Sequence, residues 1–74
     1  MNKDEKREFA ISYLQEQLKD FDCTITVEDF QNLLVIKKDK NLITSIGSKN
    51  WKSKEKLTTI AQAVINELLT NYQK

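Results

Sequence analysis

The chain has 74 residues and a formal net charge of +1, with twelve basic against eleven acidic side chains, one cysteine and no histidine. A chain this short makes one domain, residues 1–74, which buries about 60% of its unfolded surface and has little core to spare for a deep catalytic cavity. A lone Cys23 excludes an internal disulfide and the lack of histidine excludes a Cys/His metal cluster, so no cofactor is expected and a reducing, cytoplasmic setting is. No apolar run approaches the roughly 18 residues of a membrane span, and the charged start MNKDEKRE leads into no signal-peptide core, so no membrane partner is expected.

From residue 3 to residue 20 the apolar positions Ala10, Ile11, Leu14 and Leu18 recur at helical spacing, with Phe21 closing the stripe and Phe9 and Tyr13 on its flank. Asp4, Glu5 and Glu8 suit the positive end of that helix. Residues 23–28 then alternate and are rich in β-branched side chains, which predicts a strand with Cys23, Ile25 and Val27 inward. A turn over residues 28–32 leads to a second strand over 33–38. Polar Asp39, Lys40 and Asn41 make another turn, and a third strand over 42–46 stops at Gly47, the only glycine. From residue 53 to residue 72 the stripe Leu57, Ile60, Ala61, Val64, Leu68, Tyr72 predicts a second helix, with Ser53 or Ser48 as its N-cap.

The order αβββα with two short connections predicts an α+β fold: a three-stranded antiparallel meander with both helices packed on one face in two layers. The middle strand does not alternate. Leu34 and Ile36 point one way and Leu33 and Val35 the other, so one pair must lie on the helix-free face. Leu33, Val35 and Ile43 are the candidates for that outer set. Two readings compete: ordinary surface aliphatics, or an interface with another protein or with a second copy as a homodimer. Cover by the chain's own ends is a third.

Charge is segregated along the chain. Residues 37–56 hold seven lysines and two acids, net +5, whereas residues 1–30 hold four basic groups and eight acids, net −4. Such polarity points to an oriented surface that meets a polyanion or an acidic partner. Lys54 and Lys56 sit where a helix N-terminus prefers acids, a mismatch that a bound phosphate reverses. A helix starting as early as Ser48 places Lys49, Lys52 and Lys56 along one flank as a ridge. Trp51 lies inside it, either as a lid on the core edge or as a partly exposed platform for a base. Lys49, Lys52, Lys54, Lys56 and Trp51, with Lys38 and Lys40, are therefore the candidate nucleic-acid-binding residues; a solvated face is the alternative.

Gly47, then Ser53-Lys54-Glu55-Lys56-Leu57, then Ala61, resembles the start of the second helix in the double-stranded RNA-binding domain, as does the αβββα order. That resemblance implies both helices on one sheet face and a phosphate role for Lys54 and Lys56 on double-stranded RNA. Catalysis has no matching constellation: there is no histidine, no glycine-rich phosphate loop and no nucleophile with a recognisable base. Cys23, in an apolar alternation, reads as a small core side chain. Two functions remain in view. One is a non-enzymatic module holding RNA or DNA phosphates. The other is a protein-interaction module, a small regulator or inhibitor of the kind mobile elements encode, acting through the outer sheet face or the acidic first helix.

Overall fold

A computed structural model describes residues 2–71; the expected Tyr72 end of the helical stripe lies outside them. The elements are α1 (Lys3–Gln17), a 3-10 turn (Lys19–Phe21), β1 (Thr24–Glu28), β2 (Leu33–Lys38), β3 (Asn41–Ile46), a one-turn helix α2 (Ser48–Trp51) and α3 (Lys54–Asn71). The strands form one antiparallel sheet in the order β1-β2-β3.

Local chemistry explains each boundary. Asn2 caps α1 by accepting from the Glu5 amide at 2.8 Å, which satisfies one of the four free N–H groups of a helix start. The helix ends sooner than its apolar stripe predicts, because the chain tightens at Leu18 into the 3-10 turn and Asp22 reverses it with φ at 55°. Ser53 caps α3: its Oγ accepts from the Lys56 amide at 3.3 Å and its carbonyl from the Leu57 amide at 2.9 Å.

The core answers the question posed by the middle strand. Leu34 and Ile36 face the helices and pack with Ala10, Leu14 and Leu18 of the first helical segment, Ile46 of β3, and Leu57, Ala61, Val64 and Leu68 of α3. Both helices thus use one sheet face. Arg7 continues the α1 stripe one turn before Ala10 and is buried, its guanidinium 3.0 Å from the Asp4 carboxylate. Leu33 and Val35 lie on the opposite face, as β2 geometry requires. Val35 is nevertheless only 6% exposed, with Thr26 and Ser45 directly beside it on the two neighbouring strands.

One expectation for that face is corrected. A register shift opposite Ile36 and Lys37 pairs Lys37 with Leu42 and leaves Ile43 as the extra residue. Ile43 therefore packs against the core cluster, and Leu42, 61% exposed, takes the outer position beside Lys37.

Among the described residues, positive φ falls on six, none of them glycine: Asp22, Asp29, Phe30, Gln31, Asp39 and Lys40. Gly47 has φ at −73° and needs no special freedom. Asp39 and Lys40 form the two-residue loop of the β2–β3 hairpin, whose favoured turn requires positive φ at both central positions. Outside glycine, asparagine and aspartate this region costs about 1–2 kcal/mol per residue.

Candidate functional site

The meander decides what meets at each end of the sheet. Because β1 and β2 are antiparallel and closed by residues 29–32, the end that holds this loop also holds the exit of β3 and therefore the start of α2. Asn32 ties these parts together. Its carbonyl accepts from Nε1 of Trp51 at 2.9 Å, its side-chain oxygen accepts from the Lys3 ammonium at the start of α1, and its amide donates to the Asp29 carbonyl at 3.0 Å. The start of α1, the first hairpin tip and the α2–α3 corner are thus held together.

The expected lysine ridge is broken into two pieces. The one-turn α2 ends at Trp51, with Lys52 as its C-cap, and α3 begins at Lys54, so Lys49 lies on α2, Lys52 between the helices, and Lys54 and Lys56 in the first turn of α3. All four are exposed. Among the described residues the ion pairs are Arg7–Asp4 and Lys19–Glu16, and none of these four lysines takes part in one. Aromatic rings position two of them: the Lys52 ammonium stands 6.0 Å from the Trp51 ring centroid and that of Lys54 stands 5.1 Å from Phe9. Phe9 in turn stacks with Tyr13 at 6.2 Å between centroids. An open cleft of about 350 Å³ lies beside this corner, lined by Asn50, Glu55, Lys56, Thr59 and Ile60.

Trp51 is not a platform. It is 1% exposed and among the largest buried side chains, so neither ring face is open to a base. The tight turn of α2 swings it inward, where its one N–H is used on Asn32. Lys38 and Lys40 do not join the other candidates. They sit at the β2–β3 hairpin, the length of β2 away, about 17 Å at 3.3 Å per residue. Lys38 is half-buried and donates to the Phe21 carbonyl, an anchoring role.

Two residues escaped the sequence reading. Phe30 is 94% exposed at the hairpin tip, and Asn32 is the junction beneath it. An acid-flanked turn with no glycine gives no sign of either role. Among the described residues, no helix is long and apolar enough to cross a membrane, and no group of three or more His, Cys, Asp or Glu side chains is placed to hold a metal. Comparison with protein-family models, curated proteins and solved structures gives no significant match to this chain.

Proposed function

We propose that this protein is a non-enzymatic binding module that holds nucleic-acid phosphates with Lys49, Lys52, Lys54 and Lys56 at the α2–α3 corner. The observation that carries the reading is that these four exposed ammonium groups, within eight residues of chain, have no carboxylate in ion-pair contact among the described residues. Like charges held close together repel, and a row of phosphates turns that cost into attraction. Lys54 and Lys56 have the amides of a helix start beside them, so backbone and side chains act on an anion with the same sign. The αβββα order, and the resemblance of this segment to the double-stranded RNA-binding domain, support the same reading. Titrating labelled oligonucleotides across a salt series tests it: binding should weaken steeply with salt, and no binding at low salt contradicts it.

A second reading rests on the outer sheet face, where Leu42 is exposed and Leu33 half-exposed. There a partner protein or a second copy would dry the remaining aliphatic surface. Val35, already shielded, offers little to such a contact. Sedimentation of wild type and Leu42→Lys over a concentration series tests it: association lost in the variant supports a homodimer, and monomers throughout oppose one.

A further inference from the structure

Phe30 contributes nothing visible to the fold. It is 94% exposed, whereas Phe9 is 37% exposed, Tyr13 and Phe21 are half-buried and Trp51 is 1% exposed. Its backbone is strained as well: Asp29, Phe30 and Gln31 all have positive φ, at 52°, 53° and 68°. A phenyl side chain lacks the short polar group by which aspartate or asparagine offsets that conformation. Strain and full exposure at one apolar residue point to function, because neither favours folding.

The loop is also held in place before any ligand arrives. Trp51 and Lys3 both donate to Asn32, and the Asn32 amide closes the turn onto Asp29. A preset loop has little ordering entropy left to lose on binding. The contacts that fix it bring cations to its base: Lys3 directly, and Lys52 beside the Trp51 ring. Glu28 is turned toward the outer sheet face, its carboxylate accepting from the Thr26 hydroxyl at 3.1 Å. Asp29 is the acid that remains at the tip.

We infer that Phe30 stacks on an unpaired base, so that the nucleic acid held by the lysines is single-stranded or carries exposed bases; this rests on the phosphate-contact reading above. In a continuous duplex the base faces are covered by their neighbours and a phenyl ring finds nothing to stack on. In a single strand every base offers a face, and the cations at the base of the loop are placed to hold the backbone that carries it.

The test is fluorescence anisotropy with short oligo(dT) and oligo(U) strands and a duplex of equal length, each over a salt series. Wild type should prefer the strands. Phe30→Ala should weaken strand binding about 5- to 100-fold, leave the salt slope unchanged and leave duplex binding as it was. Phe30→Trp should keep strand affinity, with the new indole quenched on binding, and Asp29→Asn should tighten binding at low salt. The inference is overturned if Phe30→Ala binds strands as wild type does, or loses strand and duplex binding equally. In both cases the lysine reading still stands, provided that Lys52→Gln with Lys56→Gln flattens the salt slope. If no oligonucleotide binds at low salt, both readings fall and Phe30 becomes a contact for a protein.

Discussion

Trp51 and Asn32 connect the core to the surface. The indole fills the space between α2 and the sheet while its single N–H fixes the carbonyl beneath the hairpin tip. Trp51→Phe keeps most of the apolar volume and removes the bond, so it should cost about 1–2 kcal/mol in urea unfolding. An unchanged midpoint would mean that the bond contributes nothing. Cys23 gives a pH test. Burial pushes its thiol up, Asp22 and Asp39 act in the same direction, and Lys38 opposes them. The folded chain therefore holds this proton more tightly than the unfolded one. Its contribution to stability is full below the unfolded thiol's ordinary value, near 8.5, and is lost as pH rises through the folded one. The difference in urea midpoint between wild type and Cys23→Ala should thus hold constant from pH 6 to about pH 8 and narrow only on the alkaline side. A difference that narrows toward acid contradicts this.

Caps and turns are the sensitive points of the individual elements. Ser53→Ala removes the acceptor for the Lys56 amide and should cost about 1 kcal/mol, read as a lower thermal midpoint. Lys40→Gly should do the opposite: φ at 73° strains lysine and suits glycine, so a gain of up to about 1 kcal/mol is expected, and a loss would contradict the turn assignment. The order of elements was legible because helical and alternating periodicities depend on local spacing, and that spacing holds from Ala10 to Leu18 and from Leu57 to Leu68. Three features were not legible. The helical wheel that joined Lys49 to Lys56 assumed continuous helix through Lys52 and Ser53, yet Ser53 competes for the backbone as a cap and ends that continuity. Leu42 and Ile43 are both aliphatic, so the pattern carries no mark of the register shift that moves Ile43 inward. The positive φ at Phe30 and Gln31 reflects no backbone preference of those residue types, so the sequence carries no sign of it.

Across the whole molecule, a basic stretch continuous in sequence is discontinuous in space. β3 carries the chain from the Lys40 turn to the α2–α3 corner, so the +5 segment divides between opposite ends of the sheet. Only the group from Lys49 to Lys56 shares its end with the start of α1 and the Phe30 loop. This geometry separates the candidates into a group at the α2–α3 corner and a distant pair, and under the phosphate-contact proposal Lys40→Gln should leave nucleic-acid affinity almost unchanged. The most direct test of phosphate contact at the α2–α3 corner is the salt dependence of oligonucleotide binding, measured for wild type and for Lys52→Gln with Lys56→Gln. Each phosphate contact adds roughly 0.7–0.9 to the log–log slope, so wild type should show a slope of about 3 and the double variant one shallower by about 1.5, with the fold intact. A slope that the two substitutions leave unchanged, or no binding at low salt, would contradict the account.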